Sequence, residues 1–304
     1  MTAGPFKALI SFHYFRLADV GELHDACDGN IMLFGDSGAF SAQTQGAEIS
    51  LEDYAAWLHR WGKQLAVYAN LDVIGDDPAS IKNLRELERR GLRPLPVFHA
   101  GSNFKALEAY CEEYPYVALG GMVGKRKLGP WLVRCFKIAA KHGAVFHGFG
   151  QTRREFMMDF PFYSVDSSSW TSGVRFGQIN LWDERAGRLV QAQVGDHRSV
   201  YRVAELIRLH GGDPAKLSNS ADYHHSDIIS VNGMAWMRYG EFLRRRHGPV
   251  RLRDDTAAAG LHLYLADTSY DKNSISAAAG LHLYLADTNS EDFRPMALQQ
   301  KEPA

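Results

Sequence analysis

The chain has 304 residues, with 34 Lys and Arg against 35 Asp and Glu, giving a formal net charge of −1. That balance excludes a uniformly basic nucleic-acid coat and a disordered acidic tail protein, and 45% hydrophobic with 23% charged residues is the composition of a globular chain. Three widely spaced cysteines, Cys27, Cys111 and Cys135, form neither a disulfide framework nor a paired-cysteine metal motif, which points to a reducing, cytoplasmic setting. Residues 1–7 lack a basic, apolar leader pattern, and no run approaches the roughly 18 apolar residues of a membrane span.

Short apolar runs fall at residues 8–12, 31–34, 65–71, 95–98, 116–119, 144–149 and 162–165, and helical patterns separate them. Asn103 is a candidate N-cap for the helix that follows it, and Gly143 a candidate C-cap for residues 128–142. Strands alternating with helices predict a parallel sheet. Residues 228–231 offer an eighth strand and 236–246 its helix, so residues 1–250 read as a (β/α)8 TIM barrel. An open doubly wound sheet is the alternative. Residues 251–304 read as a short C-terminal extension. Within it AAAGLHLYLADT at 257–268 recurs word for word at 277–288, as two edge strands or a tail.

Polar and glycine residues follow the apolar runs: Asp36, Ser37 and Gly38; Asp72; His99, Ala100 and Gly101; Gly120 and Gly121; Gly148 to Gly150; and Asp166 to Ser168. In a parallel barrel these positions converge on the face where such enzymes hold their chemistry. Asp36, Asp72 and Asp166 are the main constellation. Carboxylates in different environments can divide nucleophilic from acid/base work at a sugar carbon.

These segments resemble a known family in order and spacing. Phe34-Gly35-Asp36-Ser37-Gly38-Ala39-Phe40 is similar to the DSGGFQ signature of the tRNA-guanine transglycosylase superfamily. His99 to Ser102 resembles its Gln-Gly-Ser segment, Leu119 to Gly124 its GGLAVGE stretch, and His147 to Thr152 its MGVGTP. Tyr163 to Ser167 stands where the family has its nucleophilic aspartate. The resemblance covers about residues 30–170.

It implies exchange of a guanine in a polynucleotide for a 7-deazaguanine. Asp166 would be the nucleophile and form a glycosyl-aspartate. Asp36 would handle protons on the leaving and incoming bases. Asp72, His99, Ser37, Gly120, Gly121 and Gly148 would bind the base, with Phe40 and Met122 as stacking partners. The free 7-deazaguanine is a co-substrate, no cofactor is implied, and a homodimer is the expected assembly.

Transfer-RNA enzymes of this family carry a C-terminal zinc site of closely spaced cysteines and a histidine. Here the last cysteine is Cys135, ahead of Asp166, so no zinc is expected. The shorter, zinc-less phage-type DNA transglycosylases are the nearer match, making DNA the expected polymer and tRNA the alternative. Lys125, Arg126, Lys127, Arg153 and Arg154 are candidate phosphate contacts. Arg244 to His247, Arg251 and Arg253 form another basic cluster. A metal-dependent TIM-barrel hydrolase using His13, His224 and Asp166 is a further alternative. The residues Asp222, His224, His225 and Asp227 read as a surface loop, and a non-catalytic nucleic-acid-binding relative is the remaining reading.

Overall fold

A computed structural model describes residues 5–253 and 262–267. Eight parallel strands form one curled sheet flanked by helices, an α/β arrangement compatible with a TIM-like barrel. In chain order the first seven are β1 (Phe6–Ser11), β2 (Ile31–Asp36), β3 (Leu65–Tyr68), β4 (Val97–His99), β5 (Tyr116–Gly120), β6 (Val145–Gly148) and β7 (Ser164–Ser167). A separate antiparallel hairpin follows, β8 (Gln178–Asp183) with β9 (Arg188–Gln193). The last strand, β10 (His262–Asp267), returns to the sheet between β7 and β1.

The sheet runs β3-β2-β1-β10-β7-β6-β5-β4. A parallel bridge from Ala69 to Leu95 links the segment leaving β3 to the one entering β4. Leu95 donates to Tyr68 O at 2.7 Å and its carbonyl accepts from Asn70 N at 2.9 Å.

Strand residues alternate between two cores, because successive side chains point to opposite faces. Leu9, Phe34, Ala69, Leu95, Val97, Ala118, Tyr264 and Ala266 form a cluster on the concave face. Their neighbours, such as Ala8, Ile10, Leu33 and Val117, face the surrounding helices in the main core. The same period of two carries Asp36, His99, Gly120 and Asp166 onto the concave side at the carboxyl ends of their strands.

The flanking helices start where side chains can accept orphan amide protons. Ser50 caps helix Leu51–Trp61, Asp76 caps Asp77–Arg89, and Asn103 accepts from Lys105 N at the start of Phe104–Glu113. Gly143 ends helix Gly129–His142 in the left-handed region, φ 65°. Both caps expected from the sequence are present.

The eighth strand is not where the apolar run at 228–231 placed it. Those residues lie inside one long helix, His225–His247. Ile228 and Val231 pack into a second core with Ile179, Leu181 and Ile207, whereas Ile229 faces the main core. A helix between two cores is apolar on several sides, so its period is blurred and a β-branched run reads as a strand. Asn232 sits between these layers, fully buried. It accepts from Asn180 N at 2.7 Å and donates to Trp170 O at 2.9 Å.

The first copy of the duplicated segment supplies the eighth strand, so this part of the expected extension belongs to the sheet. The second copy lies outside the described residues.

Candidate active site at the carboxyl ends of the strands

The turn after β2 is shaped by Gly38, which has φ 77°. A Cβ there would lie 2.3 Å from Ser11 Oγ and 2.5 Å from His13 Cβ, so only glycine passes beneath the end of β1. Gly38 N donates to Asp36 Oδ2 at 3.0 Å, and Ser37 is wholly buried, its Oγ accepting from Ala39 N at 3.4 Å. Ser37 therefore holds the turn.

Asp72 lies in the loop after β3, and helix Asp77–Arg89 pins that loop. Asn83 Nδ2 donates to Leu71 O at 2.9 Å, and Ser80 Oγ accepts from Val73 N at 2.8 Å. Beneath it, buried Tyr54 donates to Ala69 O at 2.7 Å. Asp72 Oδ2 pairs with His99 Nε2 from the end of β4 at 2.7 Å.

Gly120 makes that pair geometrically possible. A Cβ on Gly120 would fall 2.8 Å from His99 Cδ2 and 2.9 Å from Nε2. The resemblance implies that Gly120 meets a bound base, and the structure fills the space beside its Cα with the His99 imidazole. Gly148 is similarly hemmed by the Phe162 ring, 2.9 Å from its would-be Cβ.

Asp166 reaches the same face from β7. Its Oδ1 accepts from Gly150 N at 2.8 Å, and His147 Nε2 approaches the same oxygen at 3.3 Å without hydrogen-bond alignment. His147 is fully buried between Phe34 and Phe149, each ring centroid 4.5 Å away. Behind it, His147 Nδ1 lies 2.5 Å from Ser164 Oγ, which also hydrogen-bonds the Tyr116 phenol. Burial lowers the imidazole pKa, against the opposing pull of Asp166, so a neutral ring is favoured. In the sequence His147 stands only as the first residue of a resembling segment, and nothing there singles out Ser164 or Tyr116. Their signal was available: in each strand these residues share the parity of the concave-face residues.

Asp72 and Asp166 are both close enough to act on Asp36. Asp36 is pushed up to about 7, first by burial and then by repulsion from Asp72 and Asp166, against the Gly38 and Ser37 amides. An acid poised near neutrality beside other carboxylates can both give and take a proton.

Other expected residues are placed differently. Met122 is buried in the main core, its sulfur accepting from Gln151 Nε2 at 3.6 Å, which removes it as a stacking surface. Phe40 is 58% exposed on helix Ala39–Thr44. Gly121, with φ 66°, turns the chain away after β5.

Lys125, Arg126 and Lys127 lie exposed on the following loop, with Lys125 Nζ held to Ala100 O. Arg153 joins this rim: it lies 4.3 Å from the Phe156 ring and reaches Arg126 O at 3.5 Å. Arg154 binds Gly187 O at 2.6 Å. Arg245 pairs with Glu184, Arg246 with Met158 O, and Arg253 with the carbonyls of Cys111, Glu112, Glu113 and His142. That second cluster is spent mainly on holding the fold.

His13, His224 and Asp166 are not brought within ligating distance of one another. Among the described residues the one such group is Glu108, Glu112 and His142, where Lys141 already pairs with Glu108. His224 instead caps helix His225–His247, its N–H donating to Asp227 Oδ2 at 2.7 Å. Cys27, Cys111 and Cys135 are buried thiols. Among the described residues no helix is long and apolar enough to cross a membrane. Neither a protein-family model nor a curated protein matches the sequence.

Proposed function

We propose that the chain is a guanine transglycosylase that exchanges a guanine in DNA for a 7-deazaguanine through a glycosyl-aspartate. The observation that carries this reading is the meeting of Asp36, Asp72 and Asp166 on one face, with Asp36 held near neutrality. The Ala69–Leu95 bridge supports closure of the sheet into a (β/α)8 barrel with this face as its mouth.

In this mechanism the target nucleotide leaves its stack and enters the mouth. Asp166 Oδ2 attacks C1′, because Oδ1 accepts from Gly150 N. The C1′–N9 bond breaks, its electron pair passes to the base, and protonated Asp36 supplies the proton that neutralises it. A 7-deazaguanine then enters, ionised Asp36 accepts its proton, and its N9 attacks C1′. The bond to Asp166 breaks and the carboxylate is regenerated. Two displacements retain the β-linkage. The Asp72–His99 pair presents a fixed acceptor and donor edge to the purine. The rim of Lys125, Arg126, Lys127 and Arg153 supports contact with backbone phosphates. Transfer RNA is the alternative polymer, and the reading includes a homodimer in the cytoplasm, which is the host's if the chain is phage-encoded.

The test is incubation of the protein with labelled guanine and either duplex DNA or tRNA. Label entering DNA is the expected result. Label entering only tRNA would overturn the polymer, and label entering neither, together with no release of labelled guanine from prelabelled DNA or tRNA when a free 7-deazaguanine is added, would overturn base exchange.

Gly120→Ala probes the base pocket within this reading. The added Cβ must drive His99 off Asp72, so KM for the free base is expected to rise by at least about tenfold, with kcat changed less. An unchanged KM would remove the Asp72–His99 pair from base recognition.

A further inference from the structure

The gap that β10 fills is defined by what surrounds it. On one side Ala8, Leu9 and Ile10 of β1 pair with Leu265, Ala266 and Asp267. On the other, Ser164 to Ser167 of β7 pair with His262 to Leu265. His262 N donates to Tyr163 O at 2.8 Å, and the Trp170 indole donates to Ala266 O at 2.9 Å. Tyr264 enters the concave-face core, edge-on to Phe34 at 5.4 Å, and its hydroxyl reaches Met32 Sδ at 3.4 Å. Leu263 and Leu265 enter the main core, with Leu263 lying against Gly240.

Each residue that makes these contacts has an identical twin 20 positions later. His282, Leu283, Tyr284, Leu285, Ala286 and Asp287 repeat its sequence, and the identity extends over residues 277–288. No contact in the gap can distinguish one copy from the other. The two differ only in their connection to Arg253, which is anchored on four main-chain carbonyls. The first copy needs residues 254–261 to reach the gap, and the second needs residues 254–281. Closure entropy grows as the three-halves power of loop length, which favours the first copy by about sixfold.

We propose that the gap between β1 and β7 is a strand-binding slot with two competing occupants in the same chain, and that residues 282–287 seat there in a minority of molecules. The exchange has a geometrical consequence. The strand is parallel to its neighbours, so its carboxyl end opens onto the aspartate face. Seating the second copy moves 20 residues from the chain that follows the strand to the connection that precedes it. The length of chain leaving beside the carboxylates is thereby set by which copy is seated. This inference stands independently of the catalytic reading.

The test uses the full chain and buried Leu265. Leu265→Asp puts a carboxylate into the core when the first copy is seated, and Leu285→Asp does so for the second. Thermal unfolding, limited proteolysis and gel filtration are read for each single variant, for the double variant, and for Leu265→Asp with a stop after Ser276. Leu265→Asp alone is expected to lower the folding equilibrium constant by less than about tenfold, because the second copy takes over. The double and truncated variants are expected to lose the cooperative transition. If Leu265→Asp alone unfolds as completely as the double variant, the second copy cannot seat. If the double variant still folds, the slot does not need this strand. If Leu265→Asp folds only at high concentration and as an assembly larger than the parent's, the replacement comes from a neighbouring molecule. Each of these three results overturns the proposal.

Discussion

For the proposed base exchange, Asp166→Asn is expected to lower the rate by at least about a thousandfold while leaving the fold intact. The amide is nearly isosteric with the carboxylate, and Gly150 N can still donate to its oxygen. A neutral amide cannot displace a purine from C1′, so the covalent step is lost. Denaturing gel analysis of enzyme mixed with labelled DNA reads that step directly: a protein–DNA adduct forms with the parent and not with the variant. Circular dichroism that superimposes on the parent's would show that the loss is chemical. An Asp166→Asn variant that turns over normally would remove Asp166 as the nucleophile.

Asp36→Asn is expected to separate activity from stability. Loss of a proton-handling group costs about a hundred- to ten-thousandfold in rate. Stability should move the other way as pH rises. The folded carboxyl titrates near 7 against an ordinary value of 3.8, so folding favours the protonated form. That contribution is present in full below pH 4 and is lost as pH rises through 7, where the buried charge stands beside Asp72 and Asp166. Asparagine has no such charge. At pH 8 the variant should be the more stable, by roughly 2–4 kcal/mol, and the gap should close towards pH 4. Thermal melts of both proteins from pH 4 to 8 check the sign. A gap that is constant with pH would place Asp36 away from its carboxylate neighbours.

Much of the sheet was legible because strand and helix differ in period and because turn residues are specific. Seven apolar runs correspond to strands or to segments entering them, and Asn103 and Gly143 end helices as their chemistry dictates. Asp36, Asp72 and Asp166 were legible as a set because each follows an apolar run. The last strand was not legible. Tyr264 points to the concave face and His262 lies along the same side, so its alternation looked half-polar, as on a sheet edge. Residues 228–231 misled for the opposite reason: a helix sandwiched between two cores has apolar residues all round. Met122 reads as a stacking side chain in sequence, but whether a methionine lies in a core or at a mouth depends on the tertiary path of its loop. His147 was visible and its partners were not. Ser164 and Tyr116 come from other strands, and only the strand register puts their hydroxyls behind the imidazole.

The pairing of β1 with β10 joins residues 8–10 to residues 265–267, with the hairpin and the long helix made in between. On the ribosome this order has a cost in time. When β7 has been made, β1 and β7 each still lack their shared neighbour, and roughly a hundred further residues must be translated. At ordinary synthesis rates of about 5–20 residues per second, two parallel strand edges stay unpaired for about 5–20 s. Nascent chains of this protein halted between residues 170 and 260 should therefore be the species that aggregate or recruit chaperones, and release of the tail is the event that ends that exposure.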